Sequence, residues 1–212
     1  MLVAALSLMG VGVALTTLAG LGTSPISGVP YVMTFGLPLS FGMATFLSNI
    51  LLVLGQPALI GWRNFPAVQY AQIGVVFLFG LFIDLGMFLC APLRTSCYPL
   101  QLLEVVGGCA LLAAGIACEI HADLLFVPGE GFVKALCRRL HKPLAWTKLG
   151  FDVTLVLLAV GLSLVMLGGR IEGVREGTAL SAVLVGLFLR VLVPLFRPAR
   201  KWVLRKRTAK RA

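Results

Sequence analysis

Long apolar stretches recur along the chain at about residues 2–20, 38–56, 69–91, 100–119, 149–168 and 178–197. Each approaches the roughly 20 residues that a helix needs to cross a hydrocarbon core. Turn-rich or charged stretches separate them, and the last two are joined by the short polar hairpin "GGRIEGVREGT". The pattern predicts an all-α integral membrane protein with six transmembrane helices. The first stretch, "MLVAALSLMGVGVALTTLAG", is apolar from its first residue and has no basic segment ahead of it. It reads as a retained helix rather than a cleaved signal.

Two connections stand out. Residues 21–38, "LGTSPISGVPYVMTFGLP", carry no charge and contain Pro25, Pro30 and Pro38. They predict a short half-helix that dips into or lies on the membrane, capped by Ser24 or Ser27 ahead of a turn at Pro30–Tyr31. A half-helix N-terminus presents free N–H groups and partial positive charge to whatever it faces. Residues 123–143, "DLLFVPGEGFVKALCRRLHKP", put Phe132, Val133 and Leu136 near one face and Lys134, Arg138 and Arg139 near another. That segment predicts a helix on the cytoplasmic interface.

The two halves echo each other. Pro25 and Gly28 correspond to Pro128 and Gly131, Gly42 corresponds to Gly150, and "FLFGLFIDLG" in the third span corresponds to "VLVGLFLRVL" in the sixth. The expected organisation is a first three-span repeat over 1–92 and a second over 93–197, each with a Pro/Gly-broken segment. A basic tail follows over 198–212. Three spans is an odd number, so the second repeat would enter the membrane inverted.

Composition strengthens this picture. The chain is 59% hydrophobic and only 12% charged, with mean hydropathy +1.00. A soluble domain carries about 25% charged residues. The net charge of +10 does not indicate nucleic acid, because the bases gather at membrane edges. Arg63, then Lys134, Arg138, Arg139, Lys142 and Lys148, then the tail "RPARKWVLRKRTAKRA" follow spans two, four and six. The opposite loops hold only Arg94, Arg170 and Arg175. This asymmetry predicts cytoplasmic N- and C-termini, with the tail resting on anionic lipid headgroups.

Asp84 interrupts "IGVVFLFGLFIDLGMFLCA", and Arg190 holds almost the corresponding place in the last span. Charges in an oily segment are costly unless they pair or face a polar cavity. Two readings follow: a structural pair that fixes helix register, or residues that line a site for solute or proton. Asp152, near the start of the fifth span, Asn49 in the second and Gln72 in the third are further candidates for cavity lining. No H-E-x-x-H, G-x-S-x-G, P-loop or metal-ligand spacing occurs. No catalytic residue, cofactor or metal is therefore expected.

The segments "GLGTSPISGVPY", "LSFG", "FLFGLFIDLG" and "VREGTALSAVLVG" resemble the YczE/YitT-like bacterial membrane proteins over about residues 8–197. The resemblance implies a small polytopic protein of the bacterial inner membrane, of a kind commonly taken to be a transporter. It brings no agreed substrate, and the basic tail lies outside it. The expected function is transport of a small organic solute by alternating access, with Asp84, Arg190, Ser24, Ser27, Asn49, Gln72 and Asp152 binding or gating. Six spans are few for a transporter, so a homodimer is a natural expectation. The rival is a non-transporting scaffold or assembly partner of a membrane complex.

Overall fold

The structure is a computed structural model that describes residues 2–61, 65–122 and 127–195. Among these residues it is helical throughout, without strands. The helices are α1 (Leu2–Leu18), α2 (Pro25–Gly36), α3 (Phe41–Ile60), α4 (Gln72–Cys90), α5 (Tyr98–Ala122), α6 (Pro128–Leu140), α7 (Leu144–Met166) and α8 (Glu176–Leu195). Short 3₁₀ turns lead into α4 and follow it, at Ala67–Ala71 and Ala91–Leu93. The basic tail 198–212, Arg63 and residues 123–126 lie outside the described residues.

Local chemistry sets the ends of these helices. Pro25 and Pro128 each open a helix, where the missing N–H costs nothing. The Ser40 hydroxyl caps α3 by accepting from the Met43 amide at 3.1 Å. Gly61, with φ +95°, ends α3, and Gly168 and Gly169, both at positive φ, end α7. The expected turn at Pro30–Tyr31 does not form. Pro30 lies inside α2, which gives up only the bond to the Ile26 carbonyl. Ser24 does occupy the N-cap of α2, but its hydroxyl makes no cap bond and donates to Ser27 instead, at 3.0 Å.

Segments Phe41–Ile60, Gln69–Leu93, Tyr98–Ile120, Trp146–Met166 and Glu176–Leu195 are long and apolar enough to cross a bilayer. The first predicted span differs. With 17 residues, α1 extends about 26 Å at 1.5 Å per residue, short of a hydrocarbon core of about 30 Å. It sits at the centre of the bundle, packed between α4 and α5. It has buried residues all round, from Leu6 and Met9 to Gly10, Gly12 and Val13, as expected of a helix without a polar face. Outward-facing side chains are as apolar as the core: Leu51, Phe88 and Val165 are 71%, 79% and 83% exposed. Such a surface suits lipid and not water.

Glycine sets the central helix crossing. A Cβ on Gly12 would lie 2.6 Å from the Leu112 amide nitrogen and 2.7 Å from the Gly108 carbonyl oxygen. A Cβ on Gly108 would lie 2.8 Å from the Gly12 oxygen, and one on Gly115 would lie 2.7 Å from the Ala5 oxygen. Small residues thus let α1 and α5 meet backbone to backbone. Around this crossing Leu6, Met9, Val13, Phe41, Val75, Phe79, Ile83 and Leu112 form the main core.

The remaining packing joins α3 to α4 and α6, α2 to α3, α7 and α8, α5 to α8, and α6 to α7. α6 is amphipathic, as its charge pattern predicts. One face packs into the bundle: Pro128, Gly129, Val133 and Ala135 are buried, and Phe132 packs on Phe151 with ring centroids 5.5 Å apart. Its C-terminal end, with Arg138 and Arg139, is exposed, where basic residues complement the helix dipole. The apolar stripe is wide enough at the first turns to be drawn into the bundle.

Gly12→Leu is expected to destabilise the protein by about 1–3 kcal/mol or more through overpacking. Gly107 and Gly161 have open space where a Cβ would sit. Gly107→Ala and Gly161→Ala should be neutral or stabilising by about 0.5–1 kcal/mol. Thermal unfolding of the purified variants in detergent distinguishes the two signs.

Candidate functional site

The seven residues singled out from the sequence fall into three clusters and one position apart, that of Arg190. Asp84 is the first. Its carboxylate accepts from the Gly42 amide at 2.7 Å and from the Ser40 hydroxyl at 2.6 Å. Gly42 lies in the first turn of α3, so Asp84 on α4 caps a neighbouring helix. The positive end of that helix offsets part of its charge. The approach requires glycine: a Cβ on Gly42 would sit 2.6 Å from Asp84 Oδ2 and would overlap the Gly80 carbonyl oxygen. The partners of Asp84 are thus the start of α3 and not Arg190. Arg190 lies on the exposed face of α8, and no ion pair among the described residues reaches it.

Gln72 belongs to a second cluster. Gln56 on α3 donates to Gln72 Oε1 at 3.2 Å and to the Pro128 carbonyl at 3.3 Å, and Gln72 donates to Gln69 at 2.9 Å. Gln56 and Gln72 are almost fully buried. Their amides tie the start of α6 to α3 and α4. Sequence reasoning did not single out Gln56.

Ser24, Ser27, Asn49 and Asp152 share the third place. They line a cavity of about 170 Å³ to which all eight helices contribute, together with Thr45, Phe79, Glu119, Glu130, Lys148, Phe151 and Ser181. The first turns of α2 and α6 both open onto it, through Pro25–Ser27 and Gly129–Glu130. Asp152 pairs with Lys148 at 3.3 Å. The Asn49 amide group donates to the Thr45 carbonyl at 2.9 Å. Three buried atoms on this lining have no hydrogen-bond partner: Thr45 Oγ1, Asn49 Oδ1 and Glu119 Oε1. Their residues are 3%, 5% and 5% exposed. An unpaired buried polar atom costs about 1–3 kcal/mol, so three on residues around one void call for an explanation.

Glu119 is the principal residue that sequence reasoning missed. The fourth apolar stretch of the sequence stops at Glu119, at its edge, but α5 continues to Ala122. A signal was available. Gly108, Leu112, Gly115 and Glu119 follow each other at spacings of four, three and four, the single face of a helix. Glycine on that face marks the contact with α1, and Glu119 extends it into the bundle.

A larger groove of about 1030 Å³ lies between α6 and α7, with Leu52 of α3 at its side. Its lining is mostly Leu, Phe, Pro and Trp, and it brings no group of polar atoms together. At a lipid-facing surface such a groove suits acyl chains.

Comparison with known proteins agrees with this architecture. A family described as "Family of unknown function (DUF6198)" matches residues 1–194. The chain belongs to this family. It is also 26% identical over 210 residues to "Uncharacterized membrane protein YczE" of Bacillus subtilis (strain 168), covering 97% of this chain and 90% of the relative. The resemblance read from the Gly-rich motifs is therefore correct, and the protein is a multi-pass membrane protein. No solved structure matches.

Asp84→Ala removes the acceptor for the Gly42 amide and the Ser40 hydroxyl. The expected cost is about 1–3 kcal/mol, with a smaller loss for Asp84→Asn, which keeps one acceptor oxygen. Arg190→Gln should change stability by less than about 0.5 kcal/mol. Denaturant or thermal unfolding of the three variants checks the order.

Proposed function

We propose that this protein is a transporter of a small organic solute that works by alternating access between two inverted repeats. The site is the central cavity. The repeats are α1–α4 and α5–α8, each a long helix, a short one and two long ones. Exchanging α1 with α5, α2 with α6, α3 with α7 and α4 with α8 maps most of the packing onto itself. The α1–α4 contact becomes α5–α8, α2–α7 becomes α6–α3, and α2–α3 becomes α6–α7. A cavity where the short helices of both repeats start is the arrangement that inverted-repeat transporters use for their substrates.

The observation that carries the reading is where this correspondence fails. α3 and α4 pack closely through Gly42, Gly80 and Asp84. Their counterparts α7 and α8 do not pack in this way, and Gly150 and Gly186 have nothing within 4 Å of a Cβ position. One repeat is latched and the other splayed. Two copies of one unit held in different conformations are what alternating access needs: exchange of the two conformations would move the opening to the other side. Asp84 is then a gating residue that acts on the α3–α4 latch. The solute is held by Ser24, Ser27, Asn49, Asp152 and Glu119.

In this reading the protein resides in the bacterial inner membrane with both termini in the cytoplasm, its basic tail against anionic headgroups. It transports without catalysing a reaction. The outward face of α8, with Arg190, is available to a second copy in a homodimer.

The test needs no substrate. In a background lacking the five native cysteines, Ser27→Cys should react with a membrane-impermeant maleimide both in right-side-out and in inside-out vesicles. Labelling from one side only, or from neither, would rule out alternating access and favour the scaffold reading.

A further inference from the structure

The lining of the cavity is asymmetric in its chemistry. Glu119 Oε1 and Asn49 Oδ1 can only accept hydrogen bonds in the ionised and neutral forms respectively, and Thr45 Oγ1 can accept as well as donate. None has a partner. The Asn49 nitrogen is already used on the Thr45 carbonyl. The cavity therefore presents acceptors in excess.

Charge points the same way. Among the described residues three carboxylates line the cavity, those of Glu119, Glu130 and Asp152, against one ammonium, that of Lys148. That ammonium is paired with Asp152 at 3.3 Å, and the described lining holds no arginine. A solute carboxylate or phosphate would meet helix starts but no unpaired side-chain cation on that lining. The first turn of α6 relieves only part of the negative charge, where the Val127 backbone supports Glu119 and the helix start favours Glu130. Water could satisfy the acceptors, and Lys134 of α6 offsets only part of the Glu119 charge. A cation with N–H groups resolves both.

We propose that the central cavity binds a small solute bearing an ammonium group, received by Glu119, Asn49 and Thr45, with its hydrocarbon part against Phe79 and Phe151. The cavity volume of about 170 Å³ is below the roughly 300–1,000 Å³ of a drug-sized ligand site, so it suits a solute of few non-hydrogen atoms. This inference rests on the reading of the cavity as a solute site.

The test compares n-butylammonium, n-butanol and n-butyrate, which share a chain and differ in the head group. Thermal unfolding of the full chain in nanodiscs is followed against each concentration. A saturable rise in Tm is expected with butylammonium and none with the other two. Glu119→Gln should weaken the response by about tenfold to a hundredfold, the loss of one charge-assisted bond. Thr45→Val, which preserves shape, should weaken it severalfold, and it serves as the readout if Glu119→Gln does not fold. A response to butyrate instead, no response to any probe, or equal responses from parent and variants would overturn the proposal. The outcome is separable from that of the labelling experiment. Two-sided labelling without an ammonium response leaves transport standing and removes the solute class. An ammonium response with one-sided labelling leaves the binding site and removes transport.

Discussion

A helix that begins inside an apolar bundle must find partners for its first amides within the protein, because no water is there to supply them. This constraint explains the polar residues in the core. Asp84 and Ser40 serve the start of α3. The Val127 backbone at the start of α6 lies against Glu119, while Gln56 binds the Pro128 carbonyl there. The start of α8 is held by loop atoms: the Gly177 amide donates to the Leu21 carbonyl at 2.7 Å, and the Arg175 side chain reaches the Gly20 carbonyl at 3.2 Å. Among the described residues the buried side-chain atoms without a partner are Thr45 Oγ1, Asn49 Oδ1 and Glu119 Oε1 around the cavity and Glu104 Oε2 in α5.

Glycine makes the same economy possible in the packing. Without a hydrophobic drive between helices in lipid, association depends on close van der Waals contact. The Gly12–Gly108 crossing brings α1 and α5 together at the centre, and Gly42 and Gly80 do so for α3 and α4. These two crossings differ in kind. The central one has no polar lock among the described residues. The other is closed by a carboxylate that bonds an amide and a hydroxyl, interactions that can be exchanged for others if the helices part.

Much of this was legible in the sequence, because the signals are of the kinds that period and composition preserve. Apolar length gave the long helices, and Pro25 and Pro128 marked the short ones. Gly/Pro breaks pointed to Ser24 and Ser27, and the intramembrane polar residues to Asn49 and Asp152. What failed was anything that required knowing which helices touch. Asp84 and Arg190 look like partners on the page because their charges are opposite and their positions match. Their neighbours are set instead by the pairing of α3 with α4 and by the lack of an equivalent pairing of α7 with α8. Glu119 was overlooked because a charge near the end of an apolar run resembles an interfacial residue. Only the three-dimensional path of α5 shows that its last turns are still inside the bundle.

Arg190 illustrates how far symmetry of sequence can depart from symmetry of role. In the first half of the chain the second position after "GLF" carries Asp84, which binds a helix start and is compatible with its positive end. An arginine in the corresponding place could not do so, because a guanidinium has no acceptor and would meet the same partial charge. The second repeat therefore cannot form the same latch with the same chemistry. Its long side chain, near the C-terminal end of α8 and on its outward face, can reach the membrane interface while its stem stays in lipid. α3 and α4 are therefore held together by a contact of a kind that α7 and α8 do not make.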